Sequence, residues 1–393
     1  MLRFLLQTIL RIQKVKFPFG GKTIFWEKKL VINLKNLKEN YRALKSFLNE
    51  GTKVLPVIKC DAYGHGLLEV AKALRKEGVW GWGLSEPFEA QVLRKAGFNE
   101  PILLLSGFEK FWIEAIDELD ITPVITSFDE LNWLKEFAKK RERTFSVHIK
   151  VDTGMHRFGF SIGSIPQLLR ELKSTSVLKV EGLMTHLASS EEPCSDLTIK
   201  QLKNFSKVLE EFKKQGFNPK YLHFANTGGI MFLEDKGNLV RPGIGLFGGY
   251  PSKTARKLVK LQPVMTLVSK LVEVKEVKPG DLVGYSGTYE VKKRGLIGIV
   301  PVGYGDGYLR ALSNKGFAWI KGKRVRVVGR VSMKCLYLDI SEVEGVKKGE
   351  QVVLLGGENE EVPADELAER AGTISYELFC SFGKNLPKEY VGC

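Results

Sequence analysis

Apolar positions along this chain follow two regimes, and the change between them lies near residue 252. Before it, short β-branched runs alternate with stretches whose apolar residues recur every three or four positions, the signature of a strand followed by an amphipathic helix. Eight such runs stand at 53–59, 80–84, 101–105, 121–125, 145–151, 178–186, 221–225 and 239–247. Eight strand–helix units in series predict an α/β fold, a (β/α)8 TIM barrel. Ahead of them, Lys29–Asn33 reads as a short strand and 34–48 as a helix with Leu37, Tyr41, Leu44 and Leu48 on one face and Asn33 as its cap. Beyond residue 252, runs at 265–274, 295–302, 325–331 and 351–355 are separated by glycine turns and predict a β-rich C-terminal domain. One helix, Ala364–Ala371, is expected there between Pro363 and Gly372. The expected organisation is a basic extension over 1–25, a barrel over 26–251 and a β-rich domain over 252–393.

Composition narrows the functional classes. A length of 393 residues with 44% hydrophobic content supports a large core. The net charge of +15 raises the question of an acidic partner, but residues 1–50 alone carry eleven Lys/Arg against three Glu. The remaining excess lies on mixed-sign helices, without basic runs interleaved with aromatics, so nucleic acid is not an expected partner. Five scattered cysteines, with no C-x-x-C pair, suggest neither a disulfide framework nor a metal site, and fit a reducing cytoplasm. Met1 to Lys16 is apolar and basic, yet Gln7 and Arg11 interrupt it and no small-residue cleavage site follows. It is too short for stable membrane insertion and reads as an amphipathic extension, or as a start codon placed too early.

In a barrel of this kind chemistry collects at the carboxyl ends of the strands. The first strand ends in Val57-Ile58-Lys59-Cys60-Asp61-Ala62-Tyr63-Gly64-His65-Gly66. A lysine at the mouth of a buried strand loses hydration, which favours its neutral amine as nucleophile or base. Strand five runs into Lys150 and, past a Thr153-Gly154 turn, Arg157; strand six ends in His186. Strand seven is followed by Asn226 and Thr227 with two glycines, and strand eight carries Arg241-Pro242-Gly243-Ile244-Gly245. Glycine turns after the seventh and eighth strands let backbone N–H groups approach a phosphate.

The ten residues around Lys59 resemble the pyridoxal-phosphate lysine motif of alanine racemases, V-K-A-D-A-Y-G-H-G, with Cys60 in place of an alanine. Further matches fall in family order over most of residues 26–392. The resemblance implies pyridoxal 5'-phosphate as cofactor and Lys59 as its anchor and one of two bases. Tyr285, in Val283-Gly284-Tyr285-Ser286-Gly287, resembles the tyrosine that serves the opposite face and reaches the partner subunit's site, which implies a homodimer with shared sites. Tyr63, Asn226, Thr227 (commonly serine), Gly243, Ile244 and Tyr376 fall where the family binds the cofactor, chiefly its phosphate. Arg241 matches the arginine facing the pyridine nitrogen; a guanidinium keeps its proton, so that nitrogen is expected to stay unprotonated. His186 resembles the histidine linked to the catalytic tyrosine. Arg157 resembles the arginine near the substrate carboxylate, Met333 the residue whose N–H meets it, and Tyr304 the tyrosine that narrows the way in. Lys150 matches a lysine that is carbamylated in many relatives.

Two positions depart from the family. Lys334 stands where an aspartate normally follows the methionine, a charge reversal that could attract an acidic side chain, and Phe247 stands where tyrosine is common. The expected activity is two-base racemisation of alanine, supplying D-alanine for peptidoglycan. The alternatives are a broader racemase acting on serine or lysine, and a non-catalytic pyridoxal-phosphate carrier resembling the barrel half only. A barrel decarboxylase fits less well, since it would pair the pyridine nitrogen with a carboxylate.

Overall fold

The computed structural model describes residues 28–192 and 194–393; the extension over 1–25, with its amphipathic Met1 to Lys16 stretch, lies outside them. All eight expected barrel strands are present, as Lys53–Val54, Trp82–Leu84, Ile102–Leu104, Thr122–Ile125, Phe145–Asp152, Leu178–Met184, Tyr221–His223 and Leu239–Val240. Strands two to seven pair in parallel in chain order, and strand eight pairs in parallel with strand one. Backbone bonds close the remaining seams. Ile58 N–H reaches Gly83 O at 3.0 Å between strands one and two, and Arg241 N–H reaches Ala225 O at 2.9 Å between strands eight and seven.

Strands one and eight are shorter than their apolar runs because Pro56 and Pro242 each lack the N–H that a ladder needs. Their neighbours still pair across the gap, Val57 N–H donating to Pro242 O at 2.8 Å. The two prolines therefore loosen the barrel rim at the point where the Lys59 and Arg241 segments leave it.

Lys29–Asn33 forms the expected strand, and Asn33 Oδ1 caps the helix Leu34–Lys45 by accepting from the Lys35 and Asn36 N–H groups, both at 3.1 Å. That strand does not join the barrel. It pairs antiparallel with Met265–Lys270 and parallel with Lys388–Val391, inside a nine-stranded sheet built otherwise from the C-terminal half. The helix after it crosses to the barrel, where Asn40 Nδ2 donates to Leu246 O at 3.1 Å and Gln262 O at 2.8 Å. One continuous apolar core runs from the barrel into the sheet, with a small separate cluster of Val283, Val291, Ile297 and Val328 under the outer hairpin.

The C-terminal half holds more helix than the one element the sequence led us to expect, including a single turn at Ala255–Leu258. Besides Ala364–Ala371 there is Ser375–Asn385, which buries Ser375, Leu378, Phe379, Phe382 and Gly383 at helical spacing. It lies against the loop that follows Lys59: a Cβ on Gly64 would sit 2.3 Å from Phe379 O, and one on Gly383 would sit 2.2 Å from Gly64 Cα. Among the described residues no helix is long and apolar enough to cross a membrane, and no three His, Cys, Asp or Glu side chains are grouped to hold a metal.

Candidate active site

Lys59 stands half-buried where the first strand ends, and the chain then makes an unusual move. Cys60, Asp61, Ala62 and Tyr63 have φ of 55°, 54°, 53° and 54°, a left-handed turn of four non-glycine residues. Each such residue costs roughly 1–2 kcal/mol, so the turn persists only because its surroundings hold it. The holder is Glu89, a buried carboxylate on helix Pro87–Lys95. It accepts from Cys60 N–H at 2.6 Å, Ser85 N–H at 3.1 Å and Glu86 N–H at 3.3 Å. Burial raises the Glu89 carboxyl, and these backbone donors work against that rise. Asp61 caps the following helix Leu67–Arg75 through Leu67 N–H at 2.7 Å and pairs with Lys388 at 3.0 Å.

Around Lys59 the barrel mouth gathers cations and neutral histidines. Lys150 is buried, donates to Leu105 O at 2.9 Å and lies 5.4 Å from the Phe158 ring centroid. Burial first, then the charges of Arg241, Arg157 and Lys59, bring its ammonium down to about 7. Burial and the same set of cations hold His186 well below the usual histidine range, so it is neutral. A small cavity of about 10 Å³ lies among Lys150, Asp152, Met155, Arg157, Phe158 and His186. The loop that carries the exposed Arg157 is fastened by Asp152 Oδ1, which accepts the N–H groups of Gly154, Met155 and His156 at 2.9–3.0 Å.

Arg241 is buried, and burial pushes its guanidinium down to about 9, which leaves it charged at neutral pH. Its Nη1 donates to His223 O at 2.6 Å and faces His223 Nδ1 at 3.1 Å; its Nη2 donates to Thr185 O at 2.8 Å. Because a guanidinium only donates, His223 Nδ1 must accept, so the His223 proton sits on Nε2 and points at His148 Nδ1, 2.8 Å away. Burial lowers both imidazoles, His148 to about 3. This buried chain orients Arg241 from below. Neither His148 nor His223 was singled out in the sequence, because only the placement of strands five and seven on either side of strand six brings them together.

On the other side of the mouth a set of donors converges. Thr227 Oγ1 accepts from Gly243 N–H at 3.0 Å and Gly245 N–H at 3.4 Å, and Asn226 Oδ1 caps the short helix Thr227–Phe232 through Gly229 N–H at 3.0 Å. Gly243 leaves room for Tyr63, whose hydroxyl would lie 2.7 Å from a Cβ there. The Tyr63 and Tyr376 rings are 5.8 Å apart, and burial keeps both phenols protonated, hence donors. Ile244 begins the 3-10 turn Ile244–Phe247, and Phe247 packs between Tyr63 and His65 at 5.0 and 4.4 Å, which gives this departure a packing role. Two phenols and the Thr227 hydroxyl, whose oxygen accepts from two glycine N–H groups and whose proton is left to donate, with no acidic side chain among them, fit a phosphate dianion.

The remaining sequence candidates stand apart from this mouth. Tyr285 is 68% exposed in the single turn Tyr285–Gly287, and the group it influences is Tyr337 in the neighbouring strand. Tyr304 and Met333 are 44% and 58% exposed on two turns of the same sheet. Lys334 does not project freely, since its Nζ pairs with Asp306 at 2.7 Å. The candidate residues thus fall on two surfaces: a barrel mouth with a lysine, a neutral-histidine lattice and a converging set of donors, and a turn of the C-terminal half with an exposed tyrosine.

A barrel mouth so equipped, joined to a β-rich second half, defines an enzyme of pyridoxal-phosphate chemistry on amino acids. Comparison with known proteins narrows this further. Residues 32–251 match the alanine racemase N-terminal domain family and residues 264–390 the alanine racemase C-terminal domain family. The alanine racemases of Syntrophobacter fumaroxidans and Carboxydothermus hydrogenoformans are each 38% identical, over 91% and 92% of this chain and 96% and 98% of their own length. Among solved structures, alanine racemase of Clostridium difficile 630 superposes with a TM-score of 0.86 at 33% identity, covering 94% of this chain and 97% of its own. That of Bacillus anthracis with bound L-Ala-P gives 0.86 at 31%, covering 95% and 97%. The chain belongs to the alanine racemase family, whose members are pyridoxal 5'-phosphate-dependent isomerases.

Proposed function

We propose that this protein interconverts L- and D-alanine as a homodimer, with Lys59 of one subunit and Tyr285 of the other as the two bases. When bound, pyridoxal phosphate supplies the electron sink that makes the α-proton removable. Lys59 anchors it and then moves a proton on one face of the substrate. Tyr285 moves a proton on the other face, and neutral His186 is the group that can accept a hydrogen bond from its phenol. Tyr63, Asn226, Thr227, Gly243, Ile244 and Tyr376 hold the phosphate. Arg241 donates toward the pyridine nitrogen and keeps it unprotonated, which limits side reactions. Arg157 and Met333 N–H bind the substrate carboxylate, and Tyr304 narrows the mouth.

Lys150 extends this arrangement. With its ammonium brought down to about 7, a large fraction is free amine at neutral pH, able to add to carbon dioxide with loss of one proton. The resulting carbamate anion would pair with the arginines that now repel it. Its five free thiols suit a reducing cytoplasm, where D-alanine would feed peptidoglycan synthesis.

The observation that carries the reading is the split of the chemistry. Lys59 lies among the cations and neutral histidines of the barrel mouth, while Tyr285 stands exposed at 68% on another surface. A carrier protein would have no use for the second surface. Incubation of the holoenzyme with L-alanine in D2O tests the reading: α-proton loss and loss of optical rotation are expected to proceed together. Proton exchange with rotation retained would remove Tyr285 from the mechanism.

A further inference from the structure

The carboxylate of Asp306 is nearly inaccessible, with 3% of its side chain exposed, and yet it is met by two lysines from distant parts of the chain. Lys28, just ahead of the first sheet strand, reaches its Oδ2 at 2.9 Å and also donates to Pro301 O at 2.7 Å. Lys334 reaches Oδ1 at 2.7 Å, and Gly303 N–H donates to Oδ2 at 3.1 Å. Burial works to raise this carboxyl, and its hydrogen bonds with Lys334, Lys28 and Gly303 outweigh that and hold it below its ordinary range. A buried carboxylate with its charge balanced from both sides is a fixed point.

Two turns hang on this point. Tyr304 N–H donates to Ser332 O at 3.0 Å and Gly305 N–H to Met333 O at 2.9 Å, so the 303–307 and 331–335 segments are stitched backbone to backbone. Gly303 has no room for a side chain, since a Cβ would stand 2.1 Å from Ser332 O. On the far side Gly307, at φ 96°, lies against Ser381 O of helix Ser375–Asn385, the helix that bears Tyr376. Asp306 therefore ties together the start of the sheet, the Tyr304 turn, the Met333 turn and the phosphate helix. Its second lysine, Lys334, is one of the residues by which this chain departs from its family.

We propose that Lys28 and Lys334 are the two counterions of a clamp centred on Asp306, which positions Tyr304 and Met333 at the mouth of the partner subunit's site. Lys334 is then a positioning residue for alanine racemisation, and its charge is spent on Asp306, so it does not select acidic substrates. The inference rests on the reading that Tyr304 and Met333 face substrate across the dimer.

The test is steady-state kinetics of the holoenzyme with L-alanine and with L-glutamate, for the wild type, Lys334→Met, Lys334→Arg and Tyr304→Ala, alongside thermal melts. Lys334→Met is expected to raise KM for alanine roughly three- to tenfold with kcat within about twofold, a loss of binding that leaves the chemical step intact. Its melting temperature should fall by only a few degrees, because Lys28 and the Gly303 N–H still compensate the buried Asp306 carboxylate and Lys334 itself stands largely in solvent. Lys334→Arg should restore KM, and no form should turn over glutamate. An unchanged KM in Lys334→Met, or a parallel fall in kcat and melting temperature that arginine does not rescue, would overturn the clamp. Glutamate turnover by the wild type that vanishes in Lys334→Met would make Lys334 a selector instead. If Tyr304→Ala raises KM and Lys334→Met does not, the clamp alone fails; if Tyr304→Ala leaves KM untouched, the reading beneath it fails as well.

Discussion

At the scale of residues, the protein works by controlling which side chains keep their protons. Lys150 is brought to about 7, Arg241 stays charged, and four histidines are held neutral by burial. His65 and His148 both fall to about 3, so the unfolded chain binds more protons than the folded one at every pH between that value and the usual histidine range. Stability from these two is complete above about pH 6.5 and is lost progressively as pH falls toward 3, on the order of 4 kcal/mol for each at the limit. Chemical denaturation at pH 7.5 and 5 should show this decline, and His148→Phe should flatten it. Lys150 carries a separate prediction: with 13C-bicarbonate the holoenzyme should show a carbamate carbon signal that Lys150→Ala lacks, and its absence from the wild type would leave the lysine as a plain amine. Lys59, Tyr63 and Arg241 were legible in the sequence because a motif keeps their neighbours in order. Glu89, His148 and His223 were not, since a buried carboxylate on one helix or a histidine on an inner strand acquires its role only from what lies across the barrel.

At the scale of elements, the joint between the left-handed turn and the C-terminal helix carries the site. Gly64 and Gly383 touch, and this contact sets how far Tyr376 stands from Tyr63. Gly383→Ala would drive a methyl into Gly64 and is expected to destabilise the protein by about 1–3 kcal/mol. It should also weaken pyridoxal-phosphate binding, measured by a thermal melt and a titration followed by cofactor absorbance; unchanged affinity would detach that helix from the phosphate cradle. Glu89→Gln is expected to lose about 1–3 kcal/mol, since its amide cannot accept all the N–H groups that converge on the carboxylate. Local pattern announced the eight barrel strands well, but two prolines cut the first and last of them short. Helix Ser375–Asn385 kept its helical spacing in the sequence, hidden by Tyr, Phe, Cys and Gly, residues with weak helix propensity. The partners of Lys29–Asn33 were invisible for a different reason: pairing with strands more than two hundred residues away leaves no local trace.

At the scale of the whole molecule, the proposed chemistry needs groups that a single chain holds apart. The barrel mouth holds Lys59 and the proposed cradle, whereas Tyr285, Tyr304 and Met333 stand exposed on the C-terminal half, so the proposed site takes two copies. Exposed Phe88, Phe111 and Phe158 on the barrel half, and Leu282 and Ile374 on the C-terminal half, are the apolar surface such an assembly would cover. Activity per subunit should fall on dilution below the dimer dissociation constant, while cofactor stays on Lys59. The most direct measurement is subunit complementation. Lys59→Ala and Tyr285→Phe proteins, each inactive in racemisation alone, are mixed in equal amounts, dissociated and reassembled with cofactor. Recovery of about a quarter of the wild-type rate is predicted, because half of the reassembled dimers carry one complete site. No recovery, with mixed dimers demonstrably formed, would place both bases in the same chain and contradict the account.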